Sequence, residues 1–370
     1  MQDKKKAIGN TVFLLLVFGL TIYGVFHGED LDALMRSIRQ VDIRWLAAGV
    51  CLVLVYIWGE SVIIWYMMRS FGIFLKKRIC FLFSSVGFFF SCITPSATGG
   101  QPMQIYYMNK EKIPVPVATV ILMIVTITYK LVLVVIGVGI VLFGQGFLHR
   151  YLQGILPVYV LGIALNVFCV SFMTVLVFHP LLAERIILTG MNWLEKLHLI
   201  RKKQSRHRKF QDSMEVYRET AKYLKEHKIV IANVIGITFI QRLALFSVTW
   251  MVYRAFGLEG TPVWDVVLLQ GVISVSVDML PLPGGMGISE SLFLKIFPAV
   301  FASVTLPAMV LSRGLGYYTQ LLISALFTVV AQLYYMTKKR SCPARPAHAP
   351  KAQEGRGPGE DKERCGAAKD

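Results

Sequence analysis

Two breaks in apolar sequence constrain the fold of this chain more than any other feature. The first is the segment 94–102 (TPSATGGQP) and the second is the segment 281–287 (PLPGGMG), and each interrupts a strongly apolar stretch. Proline removes a backbone donor and glycine has a low helix propensity, so neither segment continues a helix. Within hydrocarbon, irregular backbone is tolerated only where protein encloses it or where it lines a cavity. Paired breaks in the two halves of a membrane protein therefore indicate a transport site.

Composition and apolar runs predict a membrane protein. The 370 residues are 55% hydrophobic and 16% charged, whereas a soluble protein carries about 25% charged residues. Runs longer than the roughly 18 apolar residues of a spanning helix lie near 7–27, 44–67, 117–143, 155–178, 229–253 and 307–335. The breaks lie in two further apolar regions, 78–109 and 264–300. We therefore expect an all-α polytopic membrane protein with about six spanning helices.

The positive charge is clustered, and its position predicts the orientation of the chain. The formal net charge of +17 is concentrated in the first residues, in the loop 179–228 and in the tail. Beside spanning helices, such clusters mark the cytoplasmic face and its anionic lipids. We expect a multi-pass protein of the cell membrane with both termini in the cytoplasm. The expected contacts of the basic clusters are anionic inner-leaflet lipids, and no nucleic-acid partner is expected.

The sides on which the basic loops lie predict that each broken region is a hairpin. With six spans oriented by the basic loops, region 78–109 begins and ends inside, and region 264–300 begins and ends outside. Each half then contains two spans, one re-entrant hairpin and a third span, and the halves have opposite orientation, which is an inverted repeat. The alternative is that each hairpin is two full spans, giving ten, and parity does not distinguish these. The short pieces 103–109 and 286–300 favour re-entry.

This topology divides the chain into four regions. Residues 1–178 form the first membrane repeat, and residues 229–338 form the remainder of the second repeat, which begins at the span 155–178. Residues 179–228 are a basic cytoplasmic connector whose charge and apolar pattern predicts amphipathic helices on the inner leaflet. A contact with anionic lipids and a solvated connector both fit that pattern. Residues 339–370 are expected to form a disordered cytoplasmic tail.

Ionisable side chains inside a membrane are costly and are therefore functional candidates. Lys130 lies mid-span, and either an ion pair with a residue such as Glu60 or a contact with substrate explains it. The guanidinium groups of Arg242 and Arg313 suit bidentate binding of a phosphate. Glu290 follows the second break. Three roles suit a carboxylate at this place: it caps the next helix, it meets a cationic head group, or it carries a coupling proton.

The breaks themselves supply further candidates for substrate binding. Half-helix N-termini that begin after the glycine pairs point backbone N–H groups towards mid-membrane, where they favour anions. The candidate residues are Thr94, Ser96, Thr98, Gly99, Gly100, Gln101, Pro283, Gly284 and Gly285. The alternative is that the breaks are hinges only. The sequence shows no catalytic triad, P-loop, metal-ligand spacing or cofactor motif, so we expect no cofactor and no metal.

The two break motifs and the span that holds Arg313 resemble a known family. Thr-Pro-Ser-Ala-Thr-Gly-Gly-Gln-Pro at 94–102 and Pro-x-Pro-Gly-Gly-x-Gly-x-x-Glu at 281–290 resemble the lysylphosphatidylglycerol synthase transmembrane (flippase-like) family, the membrane region of bacterial multiple-peptide-resistance proteins. The resemblance extends over about residues 5–338. It implies movement of an aminoacylated phospholipid between leaflets, while a separate soluble domain makes that lipid from phosphatidylglycerol and lysyl-tRNA. For stand-alone relatives, the resemblance implies that other lipids are handled, including polyprenyl-linked ones.

The leading hypothesis is a flippase or transporter for an aminoacylated phospholipid or a polyprenyl-phosphate lipid. One alternative is the membrane component of a phosphatidylglycerol lysyltransferase that needs a separate lipid synthase as its partner, because the residues after 338 are too few for an acyltransferase fold. Another is a non-transporting scaffold for envelope enzymes. The enzyme assignment stays open at this point.

Overall fold

The computed structural model describes residues 31–94, 97–196, 204–280 and 282–337. The predicted first span at 7–27, Ser96 and the predicted tail at 339–370 lie outside the described residues. Within the described ranges every regular element is helical and no strand occurs. The expectation of an all-α protein is confirmed.

The first half of the described chain contains a long helix, a broken hairpin and a second long helix. Its helices are α1 (Leu31–Arg39), α2 (Ile43–Ser70), α3 (Lys77–Ile93), α4 (Gly100–Lys110), α5 (Val115–Phe143) and α6 (Gln145–Tyr151). Two further helices, α7 (Leu156–Phe178) and α8 (Pro180–Lys196), lead to α9 (Gln204–Glu226).

The second half repeats the order of long helix, broken hairpin and long helix. Its elements are α10 (Lys228–Ala255), α11 (Val263–Val277), α12 (Ile288–Ile296), α13 (Pro298–Phe301), α14 (Thr305–Arg313), a π-helical segment (Gly314–Thr319) and α15 (Gln320–Thr337). The helices α2 and α10 have 28 residues each and pack along one another. This order agrees with a repeat, and its inverted orientation in the bilayer stays a prediction.

Five stretches of the described chain are long and apolar enough to cross a membrane. They are Ile43–Ser70, Val115–Phe143, Leu156–Phe178, Lys228–Ala255 and Pro298–Met336, at the places of the five predicted spans that the structure describes. Large apolar side chains face outwards on them, including Phe168, Ile240 and Leu326. Lipid-facing helices require such a surface. The protein is a multi-pass membrane protein.

The helices that flank the breaks are short. The limbs α3 and α4 have 17 and 11 residues, and α11 and α12 have 15 and 9. At 1.5 Å per residue, the longest limb is about 25 Å, whereas a bilayer core is about 30 Å thick. These lengths favour hairpins that enter and leave by one side, which stays a prediction.

The first break is a turn that its own threonine holds. Thr94 has an extended backbone and ends α3. Its Oγ1 donates to the carbonyl of Phe90 at 2.6 Å and accepts from the backbone N–H of Gly99 at 2.9 Å. A Cβ at Gly100 would lie 2.0 Å from Oγ of Ser91 on α3. Only glycine therefore fits at this position at the start of α4. These contacts are internal to the break.

The second break is a short 3₁₀ turn with left-handed backbone. Gly284 has a φ of 57°, and a Cβ there would lie 2.2 Å from the ring of Tyr317. Both the backbone conformation and the close ring require glycine at this position. The break therefore packs directly on the π-helical segment.

The connector packs against the membrane helices with one face of α9. The buried stripe of α9 packs against protein, including α5, and consists of Met214, Tyr217, Ala221 and Leu224. Hydrogen bonds from Tyr217 to the Leu176 carbonyl at 3.2 Å and from Tyr223 to the Ser70 carbonyl at 2.7 Å join α9 to α7 and α2. Protein thus covers the stripe of α9 formed by these four residues, and a lipid contact of the connector stays a prediction. In α8, by contrast, Leu181, Leu182 and Ile186 remain exposed.

Candidate functional site: a cavity between the two hairpins

A cavity of about 650 Å³ lies where the long helices meet the ends of both hairpins. Its polar or charged lining includes Tyr56, Glu60, Gln104, Thr126, Tyr129, Lys130, Arg242, Asp278 and Arg313. Most of these side chains come from the middle of long apolar helices or from the breaks. Polar groups in that position are satisfied by one another, by water or by a ligand.

The cavity brings together seven of the predicted site residues. Those that line it are Thr98, Gln101, Lys130, Arg242, Gly284, Gly285 and Arg313. Thr94, Gly99, Gly100 and Glu290 do not line it but hold or support the breaks behind the lining. Ser96 and the side chain of Pro283 lie outside the described part of the structure.

Arg242 is the cation of the cavity that has no carboxylate partner among the described residues. Its guanidinium carbon lies 3.6 Å from the ring centroid of Tyr129 and 5.0 Å from that of Tyr56. Its Nε is buried without a hydrogen-bond partner in the described chain. Cation–π contacts offset part of the cost of placing this charge in the membrane. They leave hydrogen-bonding capacity for an anion.

The backbone around Arg242 is fixed by its neighbour on α10. Gln241 Nε2 donates to the carbonyl of Tyr56 at 2.9 Å, which ties α10 to α2 beside the cavity. The absence of a side chain at Gly59 makes this possible, since a Cβ there would lie 2.9 Å from Cγ of Gln241. Arg242 is therefore positioned by a close helix crossing.

Lys130 pairs with Asp278, not with Glu60. The Nζ of Lys130 lies 2.5 Å from Oδ2 of Asp278, and the hydroxyl of Tyr129 donates to Oδ1. The interpretation of Lys130 as half of an ion pair holds, but Glu60 was the wrong partner. Asp278 ends α11 at the second break, so it reaches across to α5. The pair links the second hairpin to a long helix.

Glu60 instead binds a neutral donor from the first hairpin. Gln104 Nε2 donates to Glu60 Oε1 at 2.7 Å. A Cβ at Gly87 would lie 2.3 Å from Nε2 of Gln104, so glycine on α3 makes room for that amide. No basic group of the described chain lies within 4.0 Å of the Glu60 carboxylate. This carboxylate is held in the cavity without an ion pair.

Glu290 caps a helix and also forms an ion pair. Its Oε2 accepts from the backbone N–H of Gly287 at 2.7 Å and from Ser289 Oγ at 2.8 Å. Its Oε1 accepts from Nε of Arg313 at 2.8 Å, and Arg313 also donates to the Gly284 carbonyl at 3.0 Å. The predicted cap is present. Arg313 thereby binds the second break to α14.

One backbone N–H group at each break has an internal acceptor. Gly99 donates to Thr94 in the first break, and Gly287 donates to Glu290 in the second. These two N–H groups are therefore not available to an anion, and anion binding at the half-helix N-termini stays a prediction. Arg242 is the cavity cation without a carboxylate partner in the described chain.

A family comparison matches most of this architecture. The model for the family described as the lysylphosphatidylglycerol synthase TM region matches residues 7–324. The chain belongs to the lysylphosphatidylglycerol synthase TM family. The matched residues of this family member include both hairpins, Arg242 and the π-helical segment. A comparison with curated proteins gives no match.

Several cavity residues of this family member escaped the prediction of the site from sequence. Tyr56, Tyr129 and Gln104 carry no intramembrane charge and so gave no signal of their own. Asp278 and Glu60 did give one, as ionisable residues inside apolar segments. In the part of the chain that the structure describes, no group of three His, Cys, Asp or Glu side chains fits a metal ion.

Proposed function

We propose that this protein is a flippase or transporter that moves a phospholipid or lipid phosphate between the leaflets of the cell membrane, with both chain termini in the cytoplasm. The observation that supports this most is Arg242. It lies mid-helix, lines the cavity between the hairpins and forms no ion pair with a described carboxylate. A buried guanidinium without an anion is costly, and a phosphate supplies the missing charge and hydrogen-bond acceptors.

The size and lining of the cavity suit a lipid head group. Its volume of about 650 Å³ lies within the range of about 300–1,000 Å³ that is typical of small-molecule sites. Polar side chains of Gln101, Thr126 and Ser274 line it beside Arg242. In this proposal the phosphate contacts Arg242 while the acyl or prenyl chains stay in the bilayer.

The hairpins provide a means of gating. The hydroxyl of Tyr317 donates to the Cys92 carbonyl near the end of α3 at 2.9 Å, and the same ring packs on Gly284 in the second break. One aromatic side chain therefore joins the second break to the last turn of α3, just before the first break. Movement of either hairpin away from Tyr317 would open the cavity, in the way that alternating access requires.

The test is leaflet exchange in vesicles that contain the purified protein and fluorescently labelled phosphatidylglycerol. We expect the wild type to expose inner-leaflet label to an external quencher, without tRNA or any other protein. Arg242→Gln should reduce exchange to the rate of protein-free vesicles, because it removes the charge that binds phosphate. The matched control is Arg254→Gln, since Arg254 pairs with Glu259 beyond the cavity. Equal exchange by wild type and Arg242→Gln would contradict the proposal.

The description of the family as a synthase region favours a second candidate, the membrane component of a phosphatidylglycerol lysyltransferase. The same vesicles, supplied with lysyl-tRNA and phosphatidylglycerol, test it. Lysyl transfer by the pure chain would assign the synthase activity to it, and transfer only after addition of a partner chain would make it a component. A stable partner in pull-downs with neither exchange nor transfer would favour a scaffold.

A further inference from the structure

Three carboxylates stand in or beside the cavity, and they differ in their partners. Asp278 pairs with Lys130, and Glu290 pairs with Arg313. Glu60 has a neutral amide from Gln104 and no cation within 4.0 Å among the described residues. An intramembrane carboxylate without a paired cation is the one that most readily binds a proton, because the neutral form avoids the cost of a desolvated charge.

The position of Glu60 relates it to the proposed phosphate site. Glu60 and Arg242 line the same cavity from adjacent helices α2 and α10, yet they form no ion pair with each other. Tyr56, one helical turn before Glu60, contacts the Arg242 guanidinium. An anion bound to Arg242 therefore comes to rest near the Glu60 carboxyl.

We propose that Glu60 is a proton-binding site coupled to phosphate binding at Arg242, so that the lipid crosses the membrane together with a proton. The inference rests on the proposed function. A bound phosphate and an ionised Glu60 repel each other, so phosphate binding favours the protonated carboxyl. By thermodynamic linkage, protonation of Glu60 strengthens phosphate binding by the same factor by which bound phosphate strengthens proton binding. The proton enters from water on one side and leaves to water on the other when the phosphate departs.

The cavity also holds other charged and titratable groups besides the Glu60 carboxyl. Arg242 on α10 is the cation without a described ion-pair partner, while Lys130 on α5 and Arg313 on α14 are neutralised by their carboxylates. The remaining titratable groups that line the cavity are Tyr56 on α2, Cys92 on α3, Tyr129 on α5, Asp278 at the end of α11 and Tyr317 in the π-helical segment. On α4, the group that faces Glu60 is the neutral Gln104.

The structure also links protonation to the first hairpin. Gln104 lies on α4, so the hydrogen bond to Glu60 joins that hairpin to α2. A carboxylate accepts this bond more strongly than a protonated acid does, because charged acceptors form the stronger hydrogen bonds. Proton binding therefore loosens α4 from α2. The same event that admits the phosphate frees the hairpin.

Binding of dioctanoylphosphatidylglycerol to the detergent-purified protein, measured from pH 5 to pH 8 by calorimetry, tests the inference. We expect the affinity of the wild type to rise as the pH falls, by up to about tenfold per pH unit for one linked proton, with proton uptake on binding. Glu60→Gln should bind at every pH with the affinity that the wild type reaches at low pH. Glu60→Asp should restore the pH dependence. Glu259→Gln, outside the cavity, is the matched control.

The outcomes separate this inference from the proposed function. Binding by the wild type with no pH dependence or proton uptake would overturn proton coupling and leave the phosphate site in place. A pH dependence that persists unchanged in Glu60→Gln would overturn the assignment to Glu60. Absence of binding at every pH would contradict the phosphate site, and the coupling would fall with it.

Discussion

The two hairpins of this membrane protein have similar breaks but different anchors. The second hairpin is held by charge, through Lys130 to Asp278 and through Arg313 to Glu290 and the Gly284 carbonyl. The first is held by neutral donors, with Gln104 bound to Glu60 and Gln101 bound to Thr126. Tyr317 contacts both hairpins, at the Cys92 carbonyl of the first and at Gly284 in the break of the second. For the proposed transport function, the difference predicts that the second hairpin is the fixed half of the site and that the first is the half that rearranges.

Energetics support this division. Removal of one partner from a buried ion pair costs about 3–5 kcal/mol, whereas a hydrogen bond contributes about 1–3 kcal/mol when one partner is charged or left unsatisfied. A hairpin with two such pairs is therefore costly to displace. The first hairpin moves at a smaller cost, which is the property expected of a gate.

The largest effect is expected from Arg313→Ala. It leaves Glu290 charged without its cation and frees the Gly284 carbonyl, so the free energy of unfolding should fall by about 3–5 kcal/mol. Thermal unfolding in detergent measures this, and leaflet exchange should be lost as well. Glu290→Gln keeps a hydrogen-bonding side chain and should lose exchange with less destabilisation. Exchange that is unaltered in both variants would refute the anchoring role.

A slightly smaller loss of stability is expected from Asp278→Asn. The variant leaves Lys130 without its anion, although the amide oxygen still accepts from Tyr129, and about 3 kcal/mol should be lost. The double variant Lys130→Met with Asp278→Leu should recover much of that loss, because no charge is then left unpaired. A double variant that is less stable than Asp278→Asn would show that the pair does more than neutralise charge.

On the first hairpin, Gln104→Leu should cost only about 1–2 kcal/mol, since it removes one hydrogen bond to Glu60. Amide hydrogen exchange should then rise in α4 and remain unchanged in α12. The control is Gln153→Leu, which affects an exposed side chain in the described chain near His149. An equal increase of amide hydrogen exchange in α4 and in α12 would contradict the proposed difference between the hairpins.

The smallest effect on stability is expected from Gly314→Ala and Gly316→Ala in the π-helical segment. A Cβ at either position meets no atom within 4 Å, so alanine should be tolerated and should stabilise a helical backbone by about 0.5–1 kcal/mol. If the segment moves Tyr317 during gating, the exchange of lipid between leaflets should slow while the free energy of unfolding rises. Faster leaflet exchange in both variants would exclude a hinge in the π-helical segment.

The long helices and breaks were predictable because each has a local cause. Runs of apolar residues predicted the five spans that the structure describes, and proline and glycine marked both breaks. The helix cap at Glu290 followed from its place three residues after Gly287. Such signals lie within a few residues of the structure that they produce.

The partners within the site were not predictable in the same way. Lys130 and Asp278 are far apart in sequence, and apolar periodicity does not determine which intramembrane acid meets which base. The same limit explains the wrong pairing of Lys130 with Glu60. The contacts of Arg242 with Tyr56 and Tyr129 depend on the crossing of α2, α5 and α10, which the glycine at 59 permits. Close helix crossings of this kind require the tertiary structure.

Native mass spectrometry of the protein purified in mild detergent tests most directly whether Arg242 holds a lipid phosphate in the cavity. We predict that the wild type and the control Arg254→Gln retain a phosphate-bearing lipid, and that its fragmentation identifies the head group. Arg242→Gln should lose that lipid while keeping the same thermal unfolding profile within a few degrees. Equal lipid occupancy in wild type and Arg242→Gln would contradict the account.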